Sequence, residues 1–298
     1  MKKEVFNVSN DKLTENRKLA VITDIHLYEE FIPRYFNGMM ETVNDIKPDY
    51  ITLVGDLVGV TGKYSFRNPR VMKQLKYYLH AFRDIAPVVM SLGNHDIERI
   101  HDKEKREPFR QLKDRDIYPL DNENVILGDF NFMGYMIPKW AYAVDRIPKR
   151  KERIIEKDLN TVNFVTEEDK MNILLSHLPN LILDKYFQET FPDLYKYDLV
   201  LSGHFHGGLI TDDEVKLLNR TIDKLEKIEL LKNKKDYLES LRDAGFCFVT
   251  LNKNPIISLK TRGMHEVNGT TLIISKGAAR SRGIDSCYIT EVNCLKLK

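Results

Sequence analysis

Ala86-Pro87-Val88-Val89-Met90-Ser91-Leu92-Gly93-Asn94-His95-Asp96 is the stretch on which the reading of this chain turns. Its first half is a short apolar run of the buried-strand type, and Gly93 punctuates the end of it. Asn94, His95 and Asp96 then place an amide oxygen, an imidazole and a carboxylate at the carboxyl end of that strand. In open α/β sheets, chemistry collects at such ends, where loops are held by a rigid frame. A single polar tetrapeptide after a strand is an ordinary loop. Its weight depends on whether the chain repeats the arrangement.

It does. Upstream, residues 18–23 read as a buried strand running into Asp24-Ile25-His26, and residues 50–54 as a second, opening on Gly55-Asp56. Downstream, residues 171–176 end at His177, and residues 197–202 end in Gly203-His204-Phe205-His206-Gly207-Gly208. Helical patterns separate the strands. One covers residues 33–46 and stops near Lys47-Pro48; another covers 71–82, with Val71, Leu75, Tyr78, Leu79 and Phe82 on one face. Residues 98–115 are charged and helical in pattern, and a further helix is expected near 183–187. A lead-in strand at 5–8, a hairpin of 124–127 with 130–134, and strands at 246–251, 271–275 and 287–292 complete the pattern. Strand–loop–helix alternation of this kind argues for βαβ units and an α/β fold.

Composition sets the outer bounds. The 298 residues are 42% hydrophobic and 30% charged, enough for a sizeable core under a well-solvated surface. A net charge of +2 supplies no field that selects nucleic acid or an acidic membrane. Met1-Lys2-Lys3-Glu4-Val5 is basic but lacks the apolar core of a secretory signal, and no apolar run reaches the length of a membrane span. Cys247, Cys287 and Cys294 are odd in number and lack zinc-site spacing, so they read as idle thiols in a reducing cytoplasm.

No internal repeat, low-complexity tract or linker divides the chain, so one domain is expected over 1–298. Within it, residues 212–243 form a charged helical insert, with Val215, Leu218, Ile222 and Leu225 at 3–4 spacing. A surface helix packing one stripe on the body is the simpler reading; a lid or dimer seam is the alternative. Oligomeric state is not legible. Residues 136–168 carry Trp140, Tyr142 and the basic cluster Arg146, Lys149, Arg150, Lys151 and Arg153 without clear periodicity, which suits a substrate-facing loop.

Five apolar strands thus stop at metal-capable residues: Asp24 with His26, Asp56, Asn94 with His95, His177, and His204 with His206. Side chains two apart in an extended segment point the same way, so Asp24/His26 and His204/His206 can each offer two donors to one place. A lone Asp there would be a turn or cap residue, but five such coincidences argue for a convergent metal site. Carboxylate, amide oxygen and imidazole without thiolate suit Mn, Fe, Zn, Ni or Co rather than Ca. These donors are too many for one tetrahedral zinc and fit two metals sharing a carboxylate. Such a pair, about 3.5–4 Å apart, can activate a bridging hydroxide for in-line phosphoryl displacement.

Asp24-Ile25-His26, Gly55-Asp56, Gly93-Asn94-His95-Asp96, His177 and Gly203-His204-Phe205-His206 together resemble the five signature motifs of the calcineurin-like metallophosphoesterases, in order, from about Leu19 to Gly208. Residues 201–208 look closest to a small bacterial branch often described as phosphodiesterases, with Phe205 standing where threonine is common. The resemblance implies a four-layer αββα sandwich: two mixed sheets flanked by helices, with the last strands in the second sheet. It implies that Asp24, His26 and His206 hold one metal and Asn94, His177 and His204 a second, with Asp56 bridging. It makes His95 a non-ligand over the phosphate, acting as a general acid or as a stabiliser of developing charge. Asp96 would orient His95 or a neighbouring loop, or serve as a simple cap. The insert at 212–243 departs from the compact members.

The expected activity is hydrolysis of a phosphodiester or small phosphorylated metabolite. Two other readings compete with it. A nuclease of the same fold would need the basic cluster to line a groove with Trp140 and Tyr142. A non-catalytic scaffold would have lost the His95-type residue or several ligands, and none is missing.

Overall fold

Along β2 (Arg17–Ile22), Leu19 and Val21 face one apolar layer while Ala20 and Ile22 face another. A strand with both faces apolar must be covered on both sides, and that requirement generates the architecture. In the computed structural model, which describes residues 1–27, 33–59, 66, 68–96, 107–136, 156–183, 185–206, 262–278 and 287–297, the chain forms two 6-stranded mixed sheets packed face to face.

The first sheet also contains β1 (Lys2–Asn10), β3 (Tyr50–Val54), β4 (Val88–Ser91), β5 (Ile117–Pro119) and β12 (Tyr288–Lys296), in the order β1-β12-β2-β3-β4-β5. The second contains β6 (Asn124–Leu127), β7 (Phe130–Tyr135), β8 (Met171–Ser176), β9 (Leu199–Ser202), β10 (Gly263–Val267) and β11 (Thr270–Ile274), in the order β10-β11-β9-β8-β7-β6. β2 through β5 run parallel, as do β7, β8, β9 and β11.

Three apolar layers result. Between the sheets lie Val21, Val54, Val89, Phe130, Phe132, Ile173, Leu175, Leu201 and Ile273. Outside the first sheet, α1 (Pro33–Ile46) turns Phe36, Met39, Val43 and Ile46 inward at helical spacing, and α2 (Pro69–Arg83) does so with Val71, Leu75, Tyr78, Leu79 and Phe82. The Asn68 side chain accepts from Arg70 N–H at the start of α2 and Pro69 opens the first turn, so the helix begins where its orphan donors are met. Outside the second sheet, Leu181, Ile182 and Leu183 of α4 (Asn180–Leu183) and Phe187 of α5 (Lys185–Thr190) cover Leu174, Val200 and Leu272. The expected αββα sandwich is present, but the last strands do not all join the second sheet as expected: β11 does, whereas β12 inserts into the first sheet between β1 and β2. Each fully buried Leu, Ile or Phe contributes about 1.5–3 kcal/mol of transfer free energy.

The structure differs from the sequence reading in places. The charged helix expected to Arg115 is, among described residues, only α3 (Glu107–Arg110). Asp114 and Asp116 close a tight turn there, Asp116 in the left-handed region (φ 59). The strand after it, β5, is too short to show alternation, and its Pro119 is tolerated because β5 is a sheet edge. The edge strand β10 is half-exposed and likewise went unread. The helix expected near 183–187 is two short ones, α4 and α5. The readings for 98–106, the aromatic and basic segment from Trp140 to Arg153, Gly207-Gly208, the insert 212–243, Cys247 and the strand 246–251 lie outside the described residues. Cys294 is buried and carries no disulfide. Among the described residues no helix is long and apolar enough to cross a membrane.

Candidate metal centre

All the strands that carry the motifs end on one rim of the sandwich, and the loops leaving them stay tied to one another. Asp24 N–H donates to Gly55 O at 3.1 Å, His26 N–H to Asp56 O at 2.9 Å and Leu27 N–H to Leu57 O at 2.9 Å, so the ladder between β2 and β3 continues past the strands. Gly55 N–H reaches Ser91 O, and Gly203 N–H reaches His177 O. Across the gap between sheets, His204 N–H donates to Asp24 Oδ2 at 3.2 Å. These links make the rim a frame rather than a set of independent loops.

The backbone corrects one sequence argument. Asp24, His26, Asp56, His204 and His206 all have positive φ, between 47° and 72°, so the paired donors do not alternate along extended chain. They lie in left-handed turns that fold the chain sharply as each strand ends. A non-glycine residue in that region costs about 1–3 kcal/mol and persists only where its surroundings over-determine it. Five such residues in one place mark the rim as the strained part of the molecule.

The donors converge. Ligand atoms of Asp24, His26 and His206 lie within 4.8 Å of one another, as do those of Asp56, His177 and His204, and those of His26, Asp56 and His95; each group could hold a metal ion. His206 Nε2 is 3.4 Å from Asp24 Oδ1, His177 Nε2 is 3.2 Å from Asp56 Oδ2 and 3.6 Å from Asp24 Oδ1, and His26 Nε2 faces His206 Nε2 at 3.2 Å. His177 Nδ1 lies 2.8 Å from Val54 O, which fixes the proton on Nδ1 and leaves Nε2 to act as a donor. The Asn94 amide oxygen is buried with no hydrogen-bond partner, as an oxygen reserved for a cation would be. His95 is set differently. Its side chain is 26% exposed at the mouth, its Nε2 stands 3.8 Å from Asp56 Oδ2, and its backbone N–H donates to Asp56 Oδ1 at 2.8 Å.

Charge points the same way. Asp24 and Asp56 are 0% and 1% exposed, and isolated buried carboxylates are prohibitively costly. Burial works to raise the Asp56 carboxyl, but His177 outweighs it and holds the group well below the ordinary range. Asp24 is lowered likewise, burial being overcome by His206 and His177. In return, burial of His177 is overridden by Asp56 and Asp24, which push it up to about 10. Burial lowers His26 to about 4 and His204 to about 3. Without a cation the pocket draws a proton onto His177, while His26 and His204 stay neutral and able to donate lone pairs. The donor set fits a metal.

The Asp96 carboxylate accepts from two backbone donors. Its Oδ1 accepts from Val58 N–H at 3.0 Å and its Oδ2 from Gly93 N–H at 2.8 Å, so it ties the loop after β3 to the loop after β4. Burial, then the Asp56 charge, push its carboxyl up to about 8. Sequence reasoning gave no role to the close packing at Gly93, where a Cβ would sit 2.3 Å from Asp56 Oδ1 and 2.4 Å from Asp56 N. Only glycine lets the β4 loop approach Asp56 so closely. Val54 O, which orients His177, is backbone and leaves no signal in a sequence.

The family description "Calcineurin-like phosphoesterase" matches residues 17–208. An uncharacterised metallophosphoesterase of Campylobacter jejuni is 31% identical over 212 residues, covering 68% of this chain and 48% of that protein. The uncharacterised metallophosphoesterase YkoQ of Bacillus subtilis is 28% identical over 67% of this chain and 65% of its own length. The chain spans about half the length of the Campylobacter relative and of a Helicobacter pylori one, 48% and 47% respectively. Among solved structures, a Thermus thermophilus protein aligns with a TM-score of 0.41 at 13% identity, over 63% of this chain and 81% of that one. A dimetal phosphatase from Danio rerio aligns with a TM-score of 0.35 at 11% identity, over 64% and 82%. On the match over 17–208 and the sequence relatives that share it, this chain belongs to the calcineurin-like phosphoesterase family.

Proposed function

We propose that the chain applies the phosphoester hydrolysis implied by its family to phosphodiesters or small phosphorylated metabolites, using two metal ions. The supporting observation is that two donor groups, Asp24/His26/His206 and Asp56/His177/His204, meet around two buried carboxylates 3.6 Å or less from a shared imidazole. In this reading Asp24, His26 and His206 would hold one metal, Asn94, His177 and His204 would hold the other, and Asp56 would be shared between them. When bound, such a pair, of Mn, Fe, Zn, Ni or Co type, supplies a nucleophilic water at neutral pH and offsets charge on the phosphoryl oxygens.

The chain's own residues do the rest. His177, its Nδ1–H held by Val54 O, presents a lone pair in a fixed direction. The backbone N–H of His95 braces Asp56 Oδ1, so the carboxylate is oriented before anything binds. His95, partly exposed at the mouth, would protonate the leaving oxygen or steady the charge developing on phosphate. Asp96 keeps the two loops in register. The whole of 1–298 acts as one domain in a reducing cytoplasm, which suits the buried thiol of Cys294.

The test is hydrolysis of bis-4-nitrophenyl phosphate by metal-stripped protein resupplied with Mn²⁺, beside metal analysis of the loaded chain. Turnover with two ions per chain is expected. Two ions without turnover on diesters, monoesters or DNA would favour the scaffold reading, and turnover confined to DNA the nuclease.

A further inference from the structure

The Asp24 carboxylate is flanked by two glycine backbones, and one of them comes from far down the chain. On one side is Gly203, where a Cβ would sit 2.5 Å from Asp24 Oδ2. On the other is Gly277, in the turn that follows β11 and beyond the residues matched by the family description. Gly277 has φ +83, and a Cβ there would lie 3.0 Å from Asp24 Cβ and 3.1 Å from Asp24 Oδ2. The turn is tied down on both sides. Ser275 N–H donates to Ser202 O at 2.9 Å, Ala278 N–H to Thr23 O at 2.8 Å, and Tyr288 N–H to Gly277 O at 3.0 Å. The Tyr35 hydroxyl of α1 donates to Ala278 O. Lys276 points away from Asp24: its Nζ is 2.5 Å from Glu4 Oε1 and 4.5 Å from the centre of the Tyr288 ring. The turn therefore bonds to the residue before Asp24, to the strand that precedes His204, and to the sheet edge, while its glycine abuts the carboxylate.

We infer that Gly277 is a positioning residue for Asp24, and that the turn at 275–278 completes the centre from outside the five motifs. The inference rests on the two-metal reading above. Asp24 sits in a strained left-handed turn (φ 54), and such a conformation holds only against rigid neighbours. Gly277 lets the turn close to within van der Waals distance of the carboxylate. A side chain there would crowd Asp24 and shift the carboxylate proposed to hold metal.

The experiment is a Co²⁺ titration of the metal-stripped full chain, followed by calorimetry and visible absorption, for wild type, Gly277→Ala and Gly269→Ala. Gly269 is the matched control: it too has positive φ (+84), but nothing lies within 4 Å of the Cβ it would gain. Wild type should take up two equivalents. Gly277→Ala should keep one at wild-type affinity and lose about 10–100-fold at the other, the size of effect seen when groups supporting a ligand are altered. Gly269→Ala should bind both ions normally. Equal binding by the two alanine variants overturns the inference, and so does an equal loss at both metals. A wild-type chain that takes up no Co²⁺ overturns the two-metal reading instead, a separate result. If Gly277→Ala does not fold, Lys276→Met carries the test. It removes the Lys276 ion pair with Glu4 and its contact with the Tyr288 ring without adding an atom beside Asp24. It should weaken the same single site, and unchanged binding there overturns the inference.

Discussion

The first sheet delivers the carboxylates Asp24 and Asp56 together with Asn94, His26 and His95; the second delivers imidazoles alone, His177, His204 and His206. Two of the three donor groups draw from both sheets, and the third, His26/Asp56/His95, comes from the first sheet only. The groups that we propose to hold metal are those that cross between sheets. The group confined to one sheet contains His95, which we propose to be no ligand. Metal binding should therefore depend on how the sheets sit against each other, whereas the placement of His95 against Asp56 should not.

The largest effect is expected at Asp56, the carboxylate that we propose both metals share. Asp56→Asn should remove nearly all turnover and lower the metal content per chain, because a neutral amide cannot hold two cations close together. Retention of two ions with normal kcat, by metal analysis and assay, would break the comparison at its centre.

His95→Ala should leave metal content near that of wild type and lower kcat by about 10²–10⁴-fold for a substrate with a poor leaving group. The loss should be smaller for a nitrophenyl ester, whose leaving group needs little protonation. Equal losses on both would assign His95 to charge stabilisation rather than acid catalysis. Loss of one metal equivalent would make it a ligand.

The packing between sheets can be separated from the packing outside them. Phe132, in the layer between sheets, and Phe82, under α2, are both fully buried. Replacing either with Ala should cost about 3–5 kcal/mol of stability, read by urea denaturation. Only Phe132→Ala should also weaken metal uptake in the folded protein, read by Co²⁺ titration. If both variants bind alike, register between the sheets is set locally by the rim, not by the core.

The smallest effect belongs to the end opposite the site. There Asp129 accepts from the Thr14 hydroxyl at 2.7 Å and lies 3.6 Å from Arg17 Nε, joining the second sheet to the first. Burial tends to raise its carboxyl, but the Thr14 hydrogen bonds and Arg17 hold it below the ordinary value. A lowered folded value means stability that is complete above the unfolded value, about 3.9, and is lost as pH falls through the lowered one. Asp129→Asn should flatten that acid limb, cost about 1 kcal/mol near neutrality and leave metal affinity unchanged. An altered affinity would show that the two ends are coupled.

Much of this is legible in the sequence. The strands of residues 50–54, 88–91 and 171–176 announce themselves as apolar runs, and α1 spans the same residues, Pro33–Ile46, that its pattern marks out. The polar residues at the strand ends are legible for a related reason: nothing in a buried strand needs Asp, Asn or His at its close. Short edge strands were not legible. β5 has three residues and β10 is half-exposed, so neither carries a period long enough to read.

The sequence alone determined the elements and the kinds of donor at each strand end, because periodicity and residue chemistry are local. Tertiary structure alone decided which donors meet. His177 reaches Asp56 across the gap between two sheets, a distance in sequence that no spacing encodes. It also decided conformation: the left-handed turns at Asp24, His26, Asp56, His204 and His206 are imposed by the rim, against local preference. Gly277 shows the difference most plainly. In the chain it is one glycine after a strand; in the fold it abuts Asp24, which precedes it by some 250 residues. Only the closing of the second sheet against the first brings the two together, and the lack of a side chain there becomes meaningful only once they touch.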